Sequence, residues 1–324
     1  MKFNIKISKL SIFCFYLINL ALVGKKYWIR KEYNVFLLLT GPLTKSEKNA
    51  LRRFSKIVSR LESRKNSLNL LGIFFYRNPW IKLREQVNDK TYLAIKNIFQ
   101  IMRPRFNVFW KKNIKDDKGV VEKQIKNNIK INLRWFEKLF IQAANFYGTE
   151  RIPLKLTVFL ILLPAEIKGV SGKYISSLSG VLIEVSKTSV ARKRVVEIIL
   201  HEAIHLYLEN NRFNNMLQES IKKHPSLNKK VIKLFEGRNL GFIVKEVINS
   251  VISLRSMMFH STSLYHNLLV YAIEKTENKE IKKFLEGGRM VNDEFMEKII
   301  DIVQEYVKKA ARPISRANKQ SEKP

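Results

Sequence analysis

The hydrophobic and polar positions of residues 43–64 repeat with the period of an α-helix. Apolar residues recur three and four positions apart: Leu51, Phe54, Ile57, Val58 and Leu61. This spacing places them on one face of a helix. Thr44 and Glu47 stand just before this stripe, three residues apart, which is the spacing of a reciprocal N-terminal capping box. The pattern therefore predicts an amphipathic helix with one buried face.

The second half of the chain combines helical and strand patterns. Residues 121–147 are apolar at helical spacing and are followed by Gly148, which predicts one long helix with a glycine end. Two apolar runs, 154–163 and 181–185, have the length of buried strands. The intervening residues 169–180 are rich in Gly and Ser and predict a loop.

Two further apolar stretches, residues 191–210 and 240–254, predict buried helices. Because helical patterns outnumber strand patterns, we predict an α+β protein that is mostly helical, with a small sheet. The basic residues concentrate before the sheet, so a basic helical region precedes it.

The N-terminus has the pattern of an export signal. Lys2, Lys6 and Lys9 precede an apolar run at residues 10–24. This run is shorter than the roughly 20 residues of a spanning helix. Leu22 is larger than a cleavage site favours at its position, so an uncleaved membrane anchor is one alternative. A buried first helix in a cytoplasmic protein is another.

The chain of 324 residues is strongly basic, with 60 Lys and Arg, 28 Asp and Glu, and a formal net charge of +32. Such a charge favours attraction to nucleic acid or to anionic lipid headgroups, although a Lys-rich composition spread over solvated faces would give the same balance. Of these partners we predict an anionic membrane surface and not nucleic acid. The one cysteine, Cys14, excludes an internal disulfide and a cysteine-based zinc site. Any metal must therefore be bound by His and carboxylates.

Residues 65–120 interleave basic and aromatic side chains. The aromatic ones include Phe74, Phe75, Tyr76, Trp80, Phe106, Phe109 and Trp110. They could stack on nucleic-acid bases, but their mixed spacing is more typical of a small helical core. The polar segment 112–119 follows them and is the candidate domain boundary.

The strongest chemical signal is the sequence His201-Glu202-Ala203-Ile204-His205. Two histidines four positions apart share one face of a helix, so both imidazoles can bind one metal ion. Glu202 lies beside them, where a carboxylate can act as a general base toward metal-bound water. The alternative is a core helix with two satisfied histidines and no metal, which would bury Glu202 at a cost in free energy.

With this motif the chain resembles the zincin metallopeptidases over residues 121–275. The metzincin pattern is excluded, because Leu208 and Asn211 occupy the positions of its Gly and its third His. The resemblance is to the gluzincin type, in which a Glu on a following helix completes the site. It implies a zincin-like domain with an active-site helix, a Zn2+ cofactor and a peptide or protein substrate.

Zinc needs a third protein ligand besides the two histidines. Glu246 lies in the apolar stretch 240–254, and a carboxylate buried there would require a cation. Glu219 and Glu236 lie in polar surroundings. We therefore predict Glu246 as the third ligand; the alternatives are Glu219 as the ligand and a surface Glu246 paired with Lys245.

The gluzincin resemblance implies further groups. A donor to the developing oxyanion is expected beyond the third ligand, where Tyr265 and His266 are the candidates. A polar residue after the ligand Glu is expected to orient a zinc-bound histidine, and Asn249 or Ser250 could do so. The strand at residues 180–186 resembles the edge strand along which zincins hold an extended substrate. Each of these side chains could instead cap or pack a helix.

The sequence thus predicts four regions. These are a signal peptide or membrane anchor at 1–24, a basic and mainly helical region at 25–118, a zincin-like metallopeptidase domain at 119–312, and a polar tail at 313–324. The predicted activity is zinc-dependent peptide hydrolysis by a metal-activated water, with Glu202 as general base. The alternative function is a non-catalytic basic protein that binds membrane or nucleic acid and uses the HEAIH helix structurally.

Overall fold

A computed structural model describes residues 2–22, 35–62, 70–149, 153, 155–167, 170–190, 193–235, 237–253, 264–276, 288 and 290–320. The described residues are mostly helical with a small mixed sheet, which confirms the predicted fold class. The strands are β1 (Lys2–Ile7), β2 (Lys155–Leu163), β3 (Ser171–Ile175) and β4 (Gly180–Ser186). The helices are α1 (Lys9–Leu22), α2 (Val35–Thr40), α3 (Lys45–Glu62), α4 (Leu70–Ile73), α5 (Pro79–Gln86), α6 (Asp89–Asn113), α7 (Asp117–Ile131), α8 (Leu133–Tyr147), α9 (Lys193–Ile204), α10 (Asn211–Lys223), α11 (Pro225–Leu234), α12 (Leu240–Ser253), α13 (Leu264–Thr276) and α14 (Asp293–Gln320).

The chain divides into two compact units. The sheet unit comprises Lys2–Ile131 and Lys155–Ile199, and the helical unit comprises Asn132–Leu154 and Leu200–Pro324. The division falls within α9. The candidate boundary at residues 112–119 lies inside the sheet unit, between the end of α6 and the start of α7.

The sheet of the sheet unit has the strand order β1-β2-β4-β3. Strands β1, β2 and β4 run parallel, and β3 pairs antiparallel with β4. Strand β4 therefore lies inside the sheet, and the prediction that residues 180–186 form an edge strand is wrong. Strand β4 is internal because β3 pairs with its other edge. Strand β3 forms within the segment 169–180, which the sequence predicted as a loop.

The predicted helix at 121–147 is two helices. Asn132, with φ −100° and ψ 10°, separates α7 from α8. The predicted glycine end is confirmed, since Gly148 has φ 65° and its N–H donates to the carbonyl oxygens of Ala144 and Asn145. The positive φ favours glycine, and a Cβ at this position would also require the Met290 side chain to move.

The N-terminal residues belong to the core of the sheet unit. Strand β1 pairs with β2 over its whole length, and the ring of Phe13 in α1 stacks on that of Phe106 at 4.2 Å between centroids. Cys14 and Tyr16 are fully buried. This is the arrangement expected for a buried first helix. None of the helices in the described residues is long and apolar enough to cross a membrane; export or anchoring stays a prediction.

Helix α3 forms as its pattern predicts. The Thr44 N–H donates to the Glu47 carboxylate at 2.8 Å, and the Glu47 N–H donates to the Thr44 hydroxyl at 3.2 Å. All of its apolar stripe residues are buried. The capping box and the buried face are therefore both confirmed.

The aromatic residues of segment 65–120 are mainly core residues. Phe74, Phe75, Phe106, Phe109 and Trp110 are buried. Phe74 and Phe106 contact neighbouring rings at centroid distances of 5.0 and 4.2 Å. Their arrangement is that of a helical core, which was the alternative to stacking on nucleic-acid bases.

Helix α12 is central to the helical unit. It packs against α8, α10, α11, α13 and α14. Ile243, Val244, Val247 and Ile248 are fully buried, as the apolar stretch 240–254 predicts. A side chain on this helix is therefore held by neighbours on several sides.

Candidate metal centre

The HEAIH sequence lies where a helix changes its winding. Helix α9 ends at Ile204, and the chain continues as a 3-10 turn over His205–Glu209. Asn210 ends this turn, because its side chain accepts hydrogen bonds from the N–H groups that begin α10. The predicted helix at 191–210 is thus shorter in its α-helical part. The two imidazole rings still lie together, with centroids 5.2 Å apart.

Glu246 of α12 reaches both histidines. Its carboxylate oxygens lie 3.5 Å from Nε2 of His201 and 3.6 Å from Nε2 of His205. One ligand atom from each of these three residues lies within 4.8 Å of the other two. Ligands bound to zinc at about 2 Å in a tetrahedron are roughly 3.3 Å from one another. The spacing of this cluster therefore fits a single small cation.

Glu202 lies beside the cluster without being one of the three. Its carboxylate is 3.9 Å from Nε2 of His205, and its side chain is 14% exposed. Because it follows His201 directly in the helix, its side chain leaves the backbone in a different direction. This position suits a carboxylate that acts on a molecule bound next to the cation.

The surroundings shift the pKa values of the two histidines in opposite directions. Burial opposes protonation of His201, but the hydrogen bond with Glu246 and the charges of Glu202 and Glu246 outweigh it and raise its pKa. Burial lowers the pKa of His205 to about 4; Glu246 opposes this shift, while His201 and Lys245 add to it. His205 is thus neutral at physiological pH, which is the form that binds a metal.

Asn249 contacts the cluster from one turn beyond Glu246. Its amide donates to the backbone carbonyl of His201 at 2.9 Å, and both Asn249 and Ser250 are fully buried. Asn249 therefore ties α12 to α9 through the main chain rather than through the imidazole. The prediction that one of these two residues orients a histidine stays a prediction.

The other predicted residues do not join the cluster. Glu219 is exposed and pairs with Lys222 at 2.6 Å, and Glu236 lies outside the described residues. Tyr265 and His266 belong to the first turn of α13, but their side chains lie outside the described part of the structure. Their proposed role as oxyanion donors is not tested.

Sequence reasoning missed Tyr147, the last residue of α8. It is 1% exposed, and its hydroxyl has no hydrogen-bond partner among the described residues. Burial raises its pKa, and the charge of Glu246 raises it further, so this phenol lies within electrostatic reach of the cluster. Its ring stacks on Tyr207, 6.1 Å away. The only sequence indication was a Tyr at a position of α8 where a Phe would continue the apolar face.

The chemistry of the donor set fits a divalent transition metal. Two imidazoles and one carboxylate leave room for a fourth ligand, as in hydrolytic zinc sites. The same donor set also occurs at non-haem iron sites.

No family model matches the chain, and comparisons with curated proteins and with solved structures found no match. The candidate site is therefore described by its own geometry. The end of α9, the 3-10 turn after it and α12 bring two imidazoles and a carboxylate together, with a further carboxylate alongside.

Proposed function

We propose that this protein is a zinc-dependent hydrolase of the gluzincin type that cleaves peptide bonds. The observation that carries the proposal is the convergence of His201, His205 and Glu246, whose ligand atoms come from helices far apart in sequence. A motif that arose by chance has no reason to find a buried carboxylate at the ligand distance. The peptide substrate class rests on the resemblance of the motif and of the downstream Glu to gluzincins.

Each residue has one role in this proposal. His201, His205 and Glu246 hold the cation, and the cation when bound supplies Lewis-acid chemistry that lowers the pKa of water. Glu202 takes the proton from the attacking water and delivers it to the leaving amine. Asn249 keeps α9 and α12 in register through the His201 carbonyl.

The test combines metal analysis with a substitution of the base. Purified protein is expected to hold about one zinc per chain, measured against iron, manganese and cobalt in the same sample. Glu202→Gln should keep this zinc and lose hydrolysis of a quenched fluorescent peptide library by about 10²–10⁴-fold. The carboxamide keeps the size of the side chain and removes its basicity.

Two results would contradict the proposal at different points. Protein without any bound transition metal, even after incubation with zinc, would refute the metal site and favour a structural HEAIH helix. A Glu202→Gln variant with zinc and wild-type hydrolysis would leave the metal site standing and refute the role of the base.

A further inference from the structure

Helix α3 has a strongly basic exposed face in the sheet unit. Its exposed cations are Lys45, Lys48, Arg52, Arg53, Lys56 and Arg60. Glu47 does not offset them at the surface, because it is buried against Arg105 at 2.8 Å. Among the described side chains of α3, positive charge is therefore concentrated on the exposed face.

This face borders an open groove of about 560 Å³ between α3 and α6. Arg53 of α3 and Lys90, Leu93, Lys96 and Gln100 of α6 line it. None of its described lining residues is acidic or aromatic. We call it the α3/α6 groove.

The cations of the α3/α6 groove are not neutralised within the described part of the chain. Arg53, Lys90 and Lys96 make no ion pair with any described residue. Like charges that line one groove repel one another, and the repulsion is relieved when an anionic surface approaches. The groove therefore favours a partner with several negative charges.

Leu93 indicates which kind of anionic partner. Its side chain is 60% exposed and lies between Lys90 and Lys96 on the groove-facing side of α6. An apolar side chain among cations matches a lipid surface, where the cations meet headgroups and the apolar group enters the acyl boundary. Sequence-tolerant binding of single-stranded nucleic acid instead uses exposed aromatic rings, which the described lining lacks. We propose that the α3/α6 groove docks the protein on an anionic lipid membrane.

The first test measures binding to vesicles by co-sedimentation. The full chain should bind vesicles with about one third phosphatidylserine and not vesicles of phosphatidylcholine alone. Binding should fall as salt rises from about 0.05 to about 0.5 M, because salt screens the attraction. Equal binding to both vesicle types would overturn the proposal.

Matched variants localise the effect. Removing two charges with Arg53→Gln/Lys96→Gln should weaken vesicle binding at least about tenfold, since each basic residue near such a surface contributes about fivefold. Lys229→Gln/Lys230→Gln removes the same charge from exposed positions of α11 in the helical unit, and it should bind as wild type does. Equal losses in the two variants would mean that net charge, and not this groove, drives binding.

Leu93→Gln separates a lipid surface from a polyanion. It keeps every charge, and circular dichroism should be unchanged because the side chain is exposed. Vesicle binding should fall, whereas any binding to double-stranded RNA should not. If Arg53→Gln/Lys96→Gln abolishes RNA binding while Leu93→Gln leaves vesicle binding unchanged, the groove binds a nucleic acid and the membrane proposal is wrong.

Discussion

Glu246 is a carboxylate on a helix whose inward positions are mostly apolar. Val244, Val247 and Ile248 around it are fully buried. A carboxylate in such a place is costly unless it is protonated or paired. The two imidazoles of His201 and His205 are its observed partners, and a divalent cation would compensate its charge more completely than the two imidazoles alone.

We therefore predict that Glu246→Gln lowers zinc affinity at least about 100-fold, because an anionic ligand becomes a neutral amide. Isothermal titration with zinc measures this loss. Glu219→Gln is the control, since Glu219 is exposed and pairs only locally with Lys222. Equal zinc affinities of Glu246→Gln and wild type would move the third ligand to another residue.

The Tyr147 hydroxyl can be tested by a second single substitution, Tyr147→Phe. A buried phenol normally has a hydrogen-bond partner, so removing one without a partner should not destabilise the fold. Tyr147→Phe should change the free energy of unfolding by less than about 0.5 kcal/mol. If the hydroxyl serves the reaction at the cluster, hydrolysis should fall about tenfold or more.

Tyr207→Phe is the comparison for Tyr147→Phe. The Tyr207 hydroxyl donates to the carbonyl of Phe140 at 3.4 Å, so its loss should cost about 0.5–1.5 kcal/mol of stability. Hydrolysis should be unchanged. The reverse pattern, in which Tyr147→Phe loses stability and keeps activity, would show that Tyr147 has a structural role only.

At the scale of elements, one arginine connects the start of α3 to α6. Arg105 donates to both carboxylate oxygens of Glu47 at 2.8 and 2.9 Å. It also donates to the carbonyl oxygens of Thr40, Gly41 and Pro42, which join α2 to α3. The Arg105 side chain thus donates hydrogen bonds both to backbone carbonyl oxygens between the two helices and to the carboxylate of the capping box.

We predict that Glu47→Gln lowers the free energy of unfolding by about 2 kcal/mol, because the buried guanidinium loses its counter-charge. Urea denaturation measures the difference. Glu85→Gln is the control, since Glu85 pairs with Lys82 at the surface; it should cost less than about 0.5 kcal/mol. Similar losses of stability in the two variants would contradict the stabilising ion pair between Arg105 and Glu47.

The Glu47 effect should depend on pH in a defined direction. The hydrogen bond from Arg105 is the main reason that the pKa of Glu47 lies below its ordinary value of 4.5, with burial opposing it. Stability from a lowered carboxyl pKa is present above the ordinary value and is lost as pH falls through the lowered one. The difference in free energy of unfolding between wild type and Glu47→Gln should therefore be largest at neutral pH and should decrease below about pH 4.5.

Local signals decided which elements could be predicted from sequence. The capping box of α3 and the Gly148 end of α8 each involve residues within a few positions, and both are confirmed. Strand β3 could not be predicted, because its short polar sequence is a strand only through pairing with β4. The break at Asn132 likewise interrupts an apolar pattern that continues across it.

The candidate site shows the same contrast. His201 and His205 are predicted as ligands from spacing alone, and Glu246 from the apolar pattern around it. One ligand atom of each lies within 4.8 Å of the other two, and metal binding by them stays a prediction. Tyr147 was missed because an aromatic residue on an apolar face looks like any core position. Only the three-dimensional structure relates it to Glu246.

At the scale of the whole molecule, the N-terminal residues join parts that are distant in sequence. Strand β1 covers one side of β2, and α1 packs against α3 and α4. The alternation of Lys2, Asn4 and Lys6 with apolar residues has the period of a strand, although the lysines were read as part of an export signal. The predicted export signal and the observed β1 and α1 therefore involve the same residues.

Deleting residues 1–24 should prevent stable folding of the sheet unit, because it exposes the edge of β2 and uncovers the rings that contact Phe13. Thermal unfolding and limited proteolysis measure the effect. Lys2→Gln/Lys6→Gln removes two of the three lysine charges of the predicted signal from exposed positions and should change stability by less than about 0.5 kcal/mol. A truncated chain as stable as wild type would show that β1 and α1 are dispensable.

Cys14 makes the fate of this segment measurable in the unmodified protein. It is the one thiol of the chain, it is fully buried in α1, and burial raises its pKa well above the ordinary range. A chain that retains its first helix should react with a thiol reagent at one site per molecule in denaturant and at almost none when native. A chain processed after residue 24 would give no reaction in either state. The number of titrated thiols, compared between the two conditions, thus reports both whether the segment is still attached and whether it is folded.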